Sequence, residues 1–180
     1  MTYIALLRGI NVGGHRVSME KLRQLFAELG LANVRTYIQT GNVFFDSAEE
    51  PDRAHLAARI EQHLQQALGY SVPVFLRTAA ELEQLLNLNP FRQYAAPDDV
   101  RLCLMFFAEP LPTGLALPLL SPKADMEIVH LTEQDAFVVW HMQNGRPPAS
   151  TTFLDKTLGR RNTTRFFHTT AKILEAARQG

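Results

Sequence analysis

The chain has 180 residues, enough for one domain or for two small subdomains sharing a core. Hydrophobic residues make up 46% and charged residues 20%, a globular rather than a disordered composition. Eighteen basic residues balance eighteen acidic ones, so no whole-surface attraction to nucleic acid or to an anionic membrane is expected, and any anion site must come from local clustering.

Residues 3–8 read as an apolar strand ending in Arg8. Gly9-Ile10-Asn11-Val12-Gly13-Gly14 then breaks into a glycine-rich loop. Ser18 is the expected N-cap of a first helix, with Met19, Leu22, Leu25, Phe26 and Leu29 at helical spacing and Gly30 as its stop. A β-hairpin follows, with Val34 to Gln39 and Val43 to Asp46 flanking a break at Thr40-Gly41-Asn42. Pro51 is expected to open a second helix, where Leu56, Ile60, Leu64 and Leu68 recur every fourth residue and Gly69 ends the run. Val72-Pro73-Val74-Phe75-Leu76 reads as an edge strand, since Pro73 cannot donate to a ladder. The order strand, helix, strand, strand, helix, strand predicts an α+β fold whose N-terminal subdomain, residues 1–90, is ferredoxin-like (βαββαβ).

Thr78-Ala79-Ala80-Glu81 is a capping-box pattern that starts a short helix, and Asn89-Pro90 breaks it. The polar, proline-containing stretch 91–99 is the best internal boundary, so a second, smaller α+β subdomain is expected over residues 91–180. It reads as a strand at 101–108 and a weak helix near 113–120, compromised by Pro118. A hairpin of 126–131 and 136–142 follows, then a loop at 144–148 and a short helix at 152–158 stopped by Gly159. The final helix runs to Arg178, and Arg165 is read as opening it. This half partly echoes the first, although no sequence repeat is visible.

Four blocks resemble the domain of unknown function 1697 family. The first is Ala5-Leu6-Leu7-Arg8-Gly9-Ile10-Asn11-Val12-Gly13-Gly14, and the second is Met19 with Leu22-Arg23-Gln24-Leu25. The third is Val34-Arg35-Thr36-Tyr37-Ile38-Gln39-Thr40-Gly41-Asn42-Val43. The fourth is diffuse: Asn89-Pro90-Phe91, the strand at 101–108, and Thr164-Arg165 with Thr169 and Lys172-Ile173. The likeness is tight in the first 46 residues. Near the C-terminus the family pattern is Thr-x-Arg-Asn-Trp-Asn-Thr-Val, whereas this chain has Arg165-Phe166-Phe167-His168-Thr169-Thr170, without the two asparagines and the tryptophan. The family has no settled activity, so the resemblance implies no reaction and no cofactor.

A strand that feeds a glycine-rich loop and then a helix gathers backbone N–H groups and a positive helix end, the setting in which a small anion or a phosphorylated ligand would sit. The loop is neither a Walker A loop nor Gly-x-Gly-x-x-Gly. Arg8 is the expected charge clamp and Gly13 and Gly14 the backbone donors. Asn11, Tyr37, Gln39, Thr40, Gly41 and Asn42 are expected to converge beside Arg8, with Arg165 as a second charge. Arg35, Tyr37 and Gln39 alternate onto one strand face as a polar stripe. The plainer readings stay open: glycines that only make a turn, Arg8 in a structural ion pair, and Asn42 in an Asx-type turn.

No residue reads as a nucleophile, the histidines lack metal-ligand spacing, and Cys103 reads as a buried hydrophobe, so the catalytic residues and any cofactor stay unnamed. A nucleic-acid-binding module ranks second, because the first strand carries only Tyr3 where such sheets need central aromatics. A partner-binding domain is the third reading. No signal peptide and no apolar run of about 18 residues is seen, so a cytoplasmic protein without membrane contact is expected.

Overall fold

Apolar residues two apart form strands and those three or four apart form helices in the computed structural model, which describes residues 1–47, 52–94 and 98–180. The fold is mixed α+β, with two antiparallel sheets and five helices among the described residues. Contacts divide the chain into two compact units, one of Met1–Gln84 with Lys172–Gly180 and one of Leu85–Ala171.

The first unit contains β1 (Thr2–Leu7), α1 (Met19–Ala27), β2 (Ala32–Tyr37), β3 (Asn42–Asp46), α2 (Arg53–Leu68) and β4 (Val74–Thr78), and most of α3 (Ala79–Leu88). Its strands lie in the order β2-β3-β1-β4. Tyr3, Ala5 and Leu7 share one face of β1 and build a core with Val43, Phe45, Val74 and Leu76. Leu22, Leu25 and Phe26 of α1 and Leu56, Ile60 and Leu64 of α2 close that core. Ile4, Leu6, Phe44 and Phe75 on the opposite face are buried as well.

Local chemistry explains where these elements start and stop. The Ser18 hydroxyl accepts from the Lys21 N–H at 3.1 Å and caps α1. Asp52 caps α2 by accepting from the N–H groups of Ala54 and His55, while Pro51, expected to open that helix, lies outside the described residues. Gly69 ends α2 in the left-handed region. Thr78 and Glu81 form the reciprocal capping box: the Thr78 N–H donates to Glu81 Oε2 at 2.7 Å and the Glu81 N–H to Thr78 Oγ1 at 3.2 Å.

The second unit contains β5 (Val100–Phe107), β6 (Leu119–Leu120), β7 (Met126–Leu131), β8 (Asp135–His141), α4 (Thr152–Leu158) and β9 (Asn162–Phe166), followed by α5 (Phe167–Arg178), whose last residues belong to the first unit. The sheet order is β6-β7-β8-β5-β9. Its run β7-β8-β5-β9 repeats β2-β3-β1-β4 element for element. Helix α4 precedes β9 as α2 precedes β4, and a helix follows directly on each of β4 and β9. The position of α1 is taken instead by an extended segment with β6.

Three expectations are corrected here. No helix forms near 113–120, because Leu115, Leu117 and Leu119 pack on the second core from every second residue, the period of extended chain. Arg165 does not open a helix; it pairs with Leu104 on β9, and α5 begins at Phe167. The polar stripe stops at Tyr37, because Ile38 has φ +50° and turns the chain, which leaves Gln39 in the hairpin turn.

Candidate functional site

The 9–14 loop after β1 meets the 38–41 turn between β2 and β3. Gly41 makes the meeting possible. Its φ is +92°, and a Cβ there would stand 2.9 Å from Leu7 Cβ and 3.0 Å from Ile10 Cγ2. The Leu7 N–H donates to the Gly41 carbonyl at 2.8 Å, which extends the pairing of β1 and β3 by one bond.

Asn11 is the bridge. Its Nδ2 donates to the Gln39 carbonyl at 2.9 Å, and its Oδ1 accepts from the Val17 N–H at 2.7 Å. One side chain therefore fastens the loop to the turn and to the approach to α1. The Tyr70 hydroxyl donates to the Ile10 carbonyl at 3.0 Å, and the His15 ring stacks on Tyr70 at 3.7 Å between centroids. Arg16 donates to the carbonyls of Asn11 and His15.

Arg8, Gly13, Gly14, His15 and Arg16 are exposed on the loop, as are Gln39 and Thr40 on the turn. Arg8 stands one residue past β1, and its backbone N–H donates to the Pro73 carbonyl at 3.0 Å. Neither 8–17 nor 36–42 contains an acidic residue, so the joined loops carry an excess of positive charge. Asn42 is fully buried; its Nδ2 donates to the Tyr37 carbonyl at 3.0 Å and to Thr40 Oγ1 at 3.2 Å. Tyr37 is half-buried. Asn42 and Gly41 thus hold the shape of the turn, while Gln39 and Thr40 face solvent.

A family profile described as "Protein of unknown function (DUF1697)" matches residues 1–137, a span that includes both loops. The chain belongs to this family. No curated protein matches the chain. A solved structure, that of the conserved bacterial protein SP0830 from Streptococcus pneumoniae, covers 98% of this chain and 98% of its own at 24% identity, with a TM-score of 0.64. That likeness is one of fold.

The family match ends before the 165–170 run that departs from the family pattern. Arg165 lies in the second unit, on β9, and is 8% exposed. Its guanidinium donates to Thr163 Oγ1 at 2.8 Å and to the Thr164 carbonyl at 3.0 Å, and burial pushes its pKa down to about 10. Arg35 likewise has a framework role. It lies over the Phe44 ring at 5.4 Å and donates to the Ala176 and Ala177 carbonyls at 3.1 and 3.0 Å, capping the end of α5.

Sequence reasoning missed a cleft of about 430 Å³ in the first unit, lined by Arg23, Arg35, Thr36, Phe44, Ala176 and Gln179. Arg23 donates to Thr36 Oγ1 there at 2.7 Å. The two residues come from a helix and an edge strand, so no spacing rule joins them. Cys103 is buried, and burial drives its thiol pKa up, well away from a reactive thiolate. Among the described residues no three His, Cys, Asp or Glu side chains gather as a metal site. No helix among them is long and apolar enough to cross a membrane.

Proposed function

We propose that the joined loops of this family member bind a small anionic ligand, with a phosphate-like group as the part recognised. The observation that carries the reading is the Asn11–Gln39 hydrogen bond, which fastens the glycine-rich loop against the hairpin turn. Two further features support it: exposed Arg8 and Arg16 on a segment without acids, and Gly13 and Gly14 with φ of +60° and +86°, in open surroundings where a ligand can approach the backbone. In this reading Arg8, Gly13, Gly14, Gln39 and Thr40 touch the ligand, while Asn11, Gly41 and Asn42 keep the two loops in register. Tyr37 serves the turn, and Arg165, in the other unit, stays outside the site.

We read the first unit as ferredoxin-like, supported by its strand order β2-β3-β1-β4 and its helices after β1 and β3. In RNA-recognition sheets of that kind the central aromatics are exposed to stack on bases. Tyr3, Phe44 and Phe45 are all buried here, which favours a small ligand over nucleic acid.

A thermal-shift screen of phosphorylated metabolites on the wild type and on Arg8→Ala tests the proposal. The expected result is at least one compound that raises the wild-type Tm and leaves the variant unmoved. Wild-type hits that all persist in Arg8→Ala would dismiss the site.

A further inference from the structure

A second place in the molecule has the makings of a ligand site, and it lies in the other unit. A cavity of about 200 Å³ opens between the β6–β7 turn and the start of α4. It is smaller than the ~300–1,000 Å³ of pockets for drug-sized ligands, so it suits a compact molecule. Ser121, Lys123, Asp125 and Met126 form one wall, and Ser150, Thr152 and Phe153 form the other.

The carboxylate of Asp125 is the unusual element. Asp125 is 7% exposed and lines the cavity. Its Oδ1 accepts from the Ser121 hydroxyl at 2.7 Å. Its other oxygen, Oδ2, has no hydrogen bond or ion pair among the described residues. Lys123, on the same wall, is exposed and makes no ion pair with Asp125. Oδ2 is not among the solvent-shielded polar atoms that lack a partner, so it stays open to an incoming hydrogen-bond donor.

The turn that carries Asp125 is tied together by hydrogen bonds. Ser121 Oγ accepts from the N–H groups of Asp125 at 3.1 Å and Met126 at 3.0 Å, while its own proton goes to Oδ1. The Ala124 N–H donates to the Ser121 carbonyl at 2.9 Å, and the Ser121 N–H to the Met126 carbonyl at 2.8 Å. The carboxylate is thus held in place by bonds that leave one oxygen available. Across from it, Ser150 and Thr152 share a hydrogen bond at 2.7 Å, and Phe153 and Met126 supply apolar surface.

We infer that this cavity binds a small molecule bearing a cationic nitrogen on a short apolar body. An ammonium N–H would donate to Oδ2 in a charge-assisted hydrogen bond, its carbon body would lie along Phe153 and Met126, and the Ser150–Thr152 hydroxyls would border the polar end. The site shares no residue with the anion-binding loops, so either can fail without the other.

Benzylamine, protonated at neutral pH, is the probe, and benzyl alcohol is its uncharged counterpart. Both are titrated into the ¹⁵N-labelled full chain while backbone amides are followed by NMR. The expected result is saturable shifts at Asp125, Met126 and Thr152, with benzylamine binding at least about tenfold tighter than the alcohol. Asp125→Asn keeps the Ser121 hydrogen bond and removes the charge, so it should erase the preference for the amine. Absence of saturable shifts at these three residues, equal binding of amine and alcohol, or an amine preference that survives Asp125→Asn would overturn the inference. If Asp125→Asn does not fold, the comparison of the two probes on the wild type decides by itself.

Discussion

Gly41 and Asn11 show how single residues join two loops that are far apart in sequence. The turn reaches the end of β1 only because position 41 has no side chain and a backbone at φ +92°. Gly41→Ala puts a Cβ against Leu7 and Ile10 and forces an L-residue into the left-handed region, at a cost of about 2–4 kcal/mol. Urea unfolding of wild type and variant measures it; an unchanged midpoint would contradict the close approach. Arg8, Gly13 and Gly14 could be singled out in the sequence because they fall within one short run, 8–14, and their contact with a ligand is a proposal. The role of Asn42 was not legible: an asparagine after a glycine reads equally as a ligand contact and as a turn, and only its full burial and its bonds to Tyr37 and Thr40 decide for the turn.

Among the elements, α1 and α3 start where their chemical signals placed them, while the Pro51 signal expected for α2 lies outside the described residues. Ser18 caps α1, Thr78 and Glu81 box the start of α3, and Gly69 and Gly159 stop α2 and α4. Two strands were missed, the short β6 inside the stretch read as a weak helix, and β9. Asn162-Thr163-Thr164-Arg165-Phe166 has no apolar alternation, since its place is set by pairing with β5, a long-range partner that no local pattern announces. The capping box also has a pH consequence. Burial raises the pKa of Glu81, but the Thr78 N–H bond and the Arg53 guanidinium outweigh it and hold the carboxyl below its ordinary value. Asp46 is held low by hydrogen bonds from Asn33 and Thr2. A depressed carboxylate contributes stability that is complete above its unfolded pKa, about 4, and is lost as pH falls through the lower folded value. The stability gap between wild type and Glu81→Gln should therefore be wider at pH 6 than at pH 3, as read by urea unfolding at both. A gap that does not narrow in acid would refute the assignment.

At the scale of the molecule, the strand order β2-β3-β1-β4 recurs as β7-β8-β5-β9 with no repeat visible in the sequence. Topology is set by which faces must be buried, and many side-chain sets bury the same faces, so the same order can stand on two sequences without visible similarity. The repetition fails at one place: an extended segment stands where α1 would fall. Among the described residues the glycine-rich loop and the helix N-terminus that follows it thus belong to the first unit alone, where the functional reading sits. The most direct test is a titration of the ¹⁵N-labelled protein with inorganic pyrophosphate. Concerted amide shifts at Gly13, Gly14 and Thr40 that saturate in the wild type and vanish in Arg8→Ala are the predicted result; pyrophosphate shifts confined to other surfaces, or none at all, would contradict the account.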